Sequence, residues 1–215
     1  TCRDWSSDVC SSDLRIVNWD PKMQTTVADD ELEYIEERSK FYYFKYGPVV
    51  IGTARPETKF LDKVIVVHPD DERYKDLIGS QITLPLVGRE IPIIGDEMVD
   101  KEFGTGAVKI TPAHDPNDWE VGEKHGLEVI TVIGINGKMT EKAGAYAGLS
   151  ISDCREKVLV DLGDKLIETK PYVHSVGTCY RCHRTIEPIP LPQFFIRVKP
   201  LAEKVIGALN NKKVK

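Results

Sequence analysis

The run Gly104–Glu120, Gly-Thr-Gly-Ala-Val-Lys-Ile-Thr-Pro-Ala-His-Asp-Pro-Asn-Asp-Trp-Glu, dictates more of the local structure than any other stretch of this chain. Ala107–Thr111 alternates and is rich in β-formers, so it reads as a strand, and Pro112 stops it. Asp115 is placed to cap a helix, with Pro116 at the first helical position and Asp118 in the first turn. The helix is expected to pass through Trp119, Val121 and Lys124 to His125, with Gly126 as its C-terminal cap. Lys109 and Thr111, two residues apart, share a strand face and aim at the same corner. Two Asp at a helix start can serve only to cap it and complement its dipole. The cation and hydroxyl beside them, with His114 and Glu120, favour a polar site instead.

Elsewhere the chain is punctuated into short elements. Arg15–Trp19 reads as a strand, and Glu31–Glu36 with Phe41–Tyr46 as a hairpin about Arg38-Ser39-Lys40. Val49–Thr53 and Val64–His68 are apolar strands bracketing Thr53-Ala54-Arg55-Pro56-Glu57-Thr58. Asp70–Leu77 is expected as a short helix, and Gln81–Leu86 with Arg89–Ile94 as a hairpin turning at Val87-Gly88. Leu127–Ile133 is expected to return as a strand. Ile151–Leu162 is an amphipathic helix closed by Gly163, Lys165–Tyr172 a strand, and Pro200–Leu209 a further amphipathic helix. Many short strands with few helices predict a mixed α/β (α+β) fold with a closed, barrel-like sheet and peripheral helices. Thr1–Leu14 repeats Ser-Ser-Asp and has no periodicity; it reads as a non-native or disordered leader.

Composition sets the outer limits. In 215 residues, 29 Lys and Arg stand against 34 Asp and Glu, a net charge of −5 that argues against indiscriminate nucleic-acid binding. Basic residues can still gather on one face, as Arg55, Lys59 and Lys63 do in sequence. No apolar run approaches the roughly 18 residues a membrane span needs. Five cysteines without a secretory signal point to a reducing cytoplasm.

Four motifs in one order resemble the valyl-tRNA synthetases. The Gly104–Glu120 run is similar to their editing domain, and Thr53–Thr58 to its T-x-R-P-E-T peptide. Val17-Asn18-Trp19-Asp20-Pro21-Lys22 resembles the strand leading from catalytic into editing domain. Gly177–Cys182, Ile186-Glu187-Pro188 and Gln193-Phe194-Phe195 resemble the strands leading back. The resemblance covers roughly residues 15 to 209. It implies connecting strands over 15–46, a β-barrel-rich editing domain over 47–176, and return strands with a helix start over 177–215. The synthetic signatures His-Ile-Gly-His and Lys-Met-Ser-Lys-Ser are absent, and Gly137-Lys138-Met139-Thr140 reads as a turn. The chain is therefore expected to be a fragment of a monomeric cytoplasmic synthetase, whose ATP- and Mg-dependent valine activation lies elsewhere.

The chemistry implied is hydrolysis of threonyl-tRNA(Val). An apolar pocket cannot strongly reject an isostere that merely adds a hydroxyl, the valyl synthetases facing threonine being the established example. A second site must hydrogen-bond that hydroxyl. By resemblance, Asp115 holds the substrate's α-ammonium group, and Asp118 with Thr111 reads its hydroxyl. Lys109 and Arg55 face the terminal ribose and phosphate, Glu120 is a polar wall, and Thr53 is placed at the site. Phe103 is either an adenine-stacking surface or a core aromatic. His114 is structural or positions water, and Glu57 is a structural partner of Arg55, unless the two only form a weak surface pair. No Ser-His-Asp or Cys-His arrangement is visible, so positioned water is the expected nucleophile.

Cys179-x-x-Cys182-His183 has metal-ligand spacing. Where relatives carry a second Cys-x-x-Cys, this chain has Asp20 and Met23, so a degenerate site without zinc is expected. Two other readings stay open: an isoleucyl-type or freestanding deacylase, and a non-catalytic module that docks tRNA.

Overall fold

The computed structural model describes residues 10–196 and 198–211; residues 1–9, the outer part of the expected leader, lie outside these. In chain order the described elements are β1 (Cys10–Asp20), β2 (Thr25–Val27), β3 (Leu32–Tyr46), β4 (Val49–Thr53), β5 (Val64–Val67), β6 (Gln81–Thr83), β7 (Glu90–Gly95), β8 (Ala107–Ile110), α1 (Pro116–His125), α2 (Ile151–Leu162), β9 (Leu166–Cys179), β10 (Glu187–Ile196) and α3 (Val198–Asn210). The chain divides into two compact units, Ile16–Ile189 and a smaller one joining Thr1–Arg15 to Pro190–Lys215. Strand β1 begins at Cys10, within the 14 residues read as a non-native or disordered leader, so residues 10–14 are not disordered. In the smaller unit α3 buries no side chain. Among the described residues no helix is long and apolar enough to cross a membrane.

The larger unit is organised around β5, Val-Ile-Val-Val, in which every residue is buried. A strand apolar on both faces belongs in the middle of a sheet. The order is β6-β7-β5-β8, with β5 parallel to β7 and antiparallel to β8. The two-residue period sends Ile65 and Val67 to one face and Val64 and Val66 to the other. The first pair joins the main core with Phe44, Tyr46 and Ile51 of β3 and β4 and with Cys154, Val158 and Leu162 of α2. The second pair packs with Ile110 and with Val121 of α1. This second core fixes α1 against the end of β8.

The mixed α/β class is what the sequence predicts, but the sheet is not closed. The described strands form three open sheets, ordered β10-β1-β2, β4-β3-β9 and β6-β7-β5-β8. β8 is four residues long and ends two residues before Pro112, and β4 runs close to it without pairing.

Three further expectations change. Residues 31–46 make no hairpin: β3 is one 15-residue strand, and Arg38 and Ser39 pair with Val173 and Tyr172 of β9. Arg38-Ser39-Lys40 contains no Gly, Asn or Pro to supply a tight turn. The helix expected over 70–77 shrinks to a 3₁₀ turn at Lys75–Leu77. The Asp71 carboxylate accepts from the Arg73 amide at 3.0 Å, giving the backbone a competing partner. The strand expected over 127–133 leaves only a bridge between Ile133 and Met139, because the Val132 amide donates to the His114 ring instead.

Candidate functional site

The corner forms as its sequence dictates. Asp115 is the N-cap of α1 at φ −152°, ψ 132°, and its Oδ1 accepts from the amides of Asn117 at 2.8 Å and Asp118 at 3.2 Å. Gly126 ends the helix at φ 63°, in the left-handed region that glycine enters without strain. Asp118 faces inward from the first turn. Its Oδ2 accepts from the Thr111 amide at 2.8 Å and from Lys109 Nζ at 3.1 Å. Lys109 Nζ also donates to Thr111 Oγ1 at 3.1 Å. Lys109, Thr111, Asp115 and Asp118 are therefore brought together.

One residue that sequence reasoning missed sits beneath them. Asp62 is fully buried; its Oδ1 accepts the Thr111 hydroxyl at 2.8 Å and its Oδ2 the Tyr46 hydroxyl at 2.8 Å. The Thr111 proton thus points into the protein. One lone pair of its oxygen is taken by Lys109, and the other stays open as an acceptor. Asp118 Oδ1 and Asp115 Oδ2 make no hydrogen bond among the described residues. The open valences of Thr111, Asp115 and Asp118 are acceptors, and Lys109 keeps one open N–H.

Despite its burial, Lys109 is held above its ordinary range by Asp118, Asp62 and Asp115. Burial pushes the Asp118 carboxyl above its usual range, and Lys109 only partly offsets this. Lys109 is thus held as the cation, while burial works against the charge of Asp118.

The Thr53–Thr58 peptide is tied to the corner through Arg55. Thr53 Oγ1 accepts from the Arg55 amide at 3.0 Å, a local turn bond by which the buried Thr53 shapes the loop. The guanidinium of Arg55 donates to Glu57 at 3.2 Å, to Glu187 at 2.6 Å and to the His114 carbonyl at 3.4 Å. It keeps 30% of its side chain exposed. Against its burial, Glu187 and Glu57 raise its proton affinity further. The loop is no surface turn: Glu57 is fully buried and also receives two bonds from Arg155 of α2, at 2.9 and 3.0 Å.

The side chains of three expected site residues stand apart from these contacts. His114 is 3% exposed, and its Nε2 accepts from the Val132 amide at 3.0 Å. Burial, then Arg55 and Lys109, push its pKa down to about 3, so the ring stays neutral. Glu120 is exposed on α1, off the face that carries Asp118, Val121 and Gly122. Phe103, far from being a core aromatic, is 65% exposed in the turn before β8.

The cysteine pair lies elsewhere in the fold. One ligand atom each from Asp20, Cys179 and Cys182 fall within 4.8 Å of one another. The Cys182 thiol donates to Asp20 Oδ2 at 2.9 Å, and the amides of Lys22 and Met23 donate to Oδ1 at 2.9 and 3.0 Å. Burial opposes the Asp20 charge, but these donors bring its pKa down to about 2. His183 turns away, its Nδ1 3.1 Å from Glu33. The cluster is one donor short of the usual zinc tetrahedron.

Comparison with known proteins gives a consistent picture. Residues 68–156 match the family model described as leucyl-tRNA synthetase, editing domain. The chain is 46% identical over 208 residues to a valine–tRNA ligase of Thermotoga maritima, covering 93% of this chain and 24% of that protein. It is 49% identical to that of Carboxydothermus hydrogenoformans, covering 94% and 24%. With the Lactobacillus johnsonii enzyme it shares 51% over 199 residues, covering 89% and 23%. The chain thus spans about a quarter of the length of the curated relatives it matches.

Proposed function

The chain belongs to the valine–tRNA ligase family, and on that premise we propose that its corner hydrolyses the ester joining threonine to the 3′ end of a valine-accepting tRNA. The observation that carries this reading is the direction of the corner's hydrogen bonds. With the Thr111 proton committed to Asp62, the open groups of Thr111, Asp115 and Asp118 can only accept. A ligand that fits must bring donors, and an α-ammonium group beside a β-hydroxyl does so. Valine brings the ammonium alone and would leave desolvated acceptors unpaired.

In this reading Asp115 Oδ2 takes the ammonium, and Asp118 with Thr111 takes the hydroxyl. Lys109 and the exposed part of Arg55 meet the terminal ribose or phosphate, and the exposed Phe103 ring offers a stacking surface for the adenine. Glu120 has no part. Water adds to the ester carbonyl carbon, the bond to the ribose oxygen breaks, and that oxygen takes the water's proton. His114 is not the base, since its acceptor nitrogen is occupied by the Val132 amide. The Asp20–Cys179–Cys182 cluster is proposed to be structural without zinc. Stoichiometric, cysteine-dependent zinc uptake by the purified chain would contradict that part.

The test is incubation of the chain with threonyl- and valyl-tRNA of the valine acceptor. Selective release of threonine is expected, falling roughly tenfold or more in Asp118→Ala. Equal hydrolysis of both esters would point to a deacylase of different specificity. Binding without release would leave a docking module.

A further inference from the structure

Ile186-Glu187-Pro188 reads in the sequence as a connector, beyond the 47–176 stretch expected to form the editing domain. The fold turns it back onto the site loop. The Ile186 amide donates to the Gly177 carbonyl at 3.1 Å and the Cys179 amide to the Arg184 carbonyl at 2.9 Å, so residues 177–186 double back as a hairpin. Glu187 opens β10, and the two-residue period gives it the same face as Ile189. Both are buried, at 8% and 2% exposure. Glu187 Oε2 there takes the shortest of the hydrogen bonds that the Arg55 guanidinium makes, 2.6 Å from Nη2 and across 132 residues of sequence.

Arg55 is a fork held at three points. Nε donates to Glu57, Nη2 to Glu187 and Nη1 to the His114 carbonyl. A guanidinium has five N–H groups, so one on Nη1 and one on Nη2 stay open. Charge alone gives this arginine no direction. With Arg155, Glu57 and Glu187 it forms a cluster of two cations and two carboxylates that sums to zero. What the cluster does fix is the plane of the fork. Without an acceptor on Nη2, the guanidinium would be free to turn and give both of its ends to the fully buried Glu57. We propose that Glu187 is a positioning residue for the ester hydrolysis, holding the Arg55 fork so that its two open N–H groups meet the ribose or phosphate of the terminal nucleotide. The return strand then completes a site that the 47–176 stretch lacks on its own.

This rests on the editing reading, and two readouts separate their failures. The first is steady-state release of threonine from threonyl-tRNA of the valine acceptor. Glu187→Met fills the same space without an acceptor and should raise KM roughly tenfold, with kcat held because the lost contact serves binding and not the reacting ester. Glu187→Gln keeps an acceptor oxygen but no charge, and should recover about half of that loss on a logarithmic scale, leaving KM about threefold above wild type. The second readout needs no activity. It is the affinity for adenosine 5′-monophosphate whose 3′-hydroxyl is replaced by a threonylamino group, an amide that resists hydrolysis. Arg55→Met and Glu187→Met should each weaken binding roughly tenfold, and the double variant should bind no worse than Arg55→Met alone. If neither amino acid is released but the analogue shows this non-additivity, the editing reading fails and the assignment of Glu187 stands. Selective threonine release would keep the editing reading, while a Glu187→Met at wild-type KM and affinity, losses confined to kcat, or losses that multiply in the double variant would overturn the assignment. Absence of both release and binding would overturn both.

Discussion

Single residues here are held by partners that make their charge state predictable. His114 is buried as the neutral ring with a pKa of about 3, against about 6.5 in an unfolded chain. Its folded-state pKa is depressed, so the unfolded state binds the extra proton first, and stability present above pH 6.5 is lost as pH falls toward 3. Between pH 6.5 and 5 the loss is about 2 kcal/mol. His114→Gln can still accept from the Val132 amide and should abolish that part of the slope in urea unfolding; an unchanged slope would refute it. Asp118 differs, because its raised pKa concerns function more than stability. Threonine release should fall on acidification at a pH above the ordinary carboxylate range, and Asp118→Asn should remove that limb.

Elements built from local signals were the legible part of the sequence. The bounds of α1 and α2 follow from Asp115, Gly126 and Gly163, since a cap and a left-handed glycine act within one turn. Glu120 could have been excluded by the same geometry, being two residues, more than half a turn, round from Asp118. Asp62 and Tyr46 were not legible. Asp62 meets Thr111 only through tertiary pairing across 49 residues. The junction of strand and helix is also tight. A Cβ at Gly122 would lie 2.8 Å from both Cβ and Cγ of Pro112, and a proline ring cannot rotate away. Gly122→Ala should therefore push α1 off the strand end, costing about 1–3 kcal/mol and weakening threonine release. Wild-type stability and activity in this variant would show that the helix can move freely.

At the scale of the molecule, separate parts of the larger unit converge on Glu57, which receives Arg55 from the site loop and Arg155 from α2. Although burial opposes its charge, Arg55 and Arg155 hold Glu57 below the usual carboxylate range. Glu57→Gln should cost about 2 kcal/mol, less than a fully desolvated pair because both guanidinium groups keep about a third of their surface exposed. A fall in the thermal midpoint together with a loss of threonine release would show that α2 supports the site loop; a fall in stability alone would not. The long strand β3 carries a different consequence. It spans roughly 50 Å, yet only Tyr42–Phe44 has a neighbour on each side, β4 on one edge and β9 on the other. Residues 32–41 are joined to β9 alone, and the one register shift falls at Tyr43/Phe44, where β9 takes up the extra residue. The strand should therefore breathe at two speeds, its outer amides exchanging with deuterium readily while those beside Phe44 and Tyr46 open only with the core. Fraying at the far end of the ribbon would then die out before it reaches the residues under Thr111.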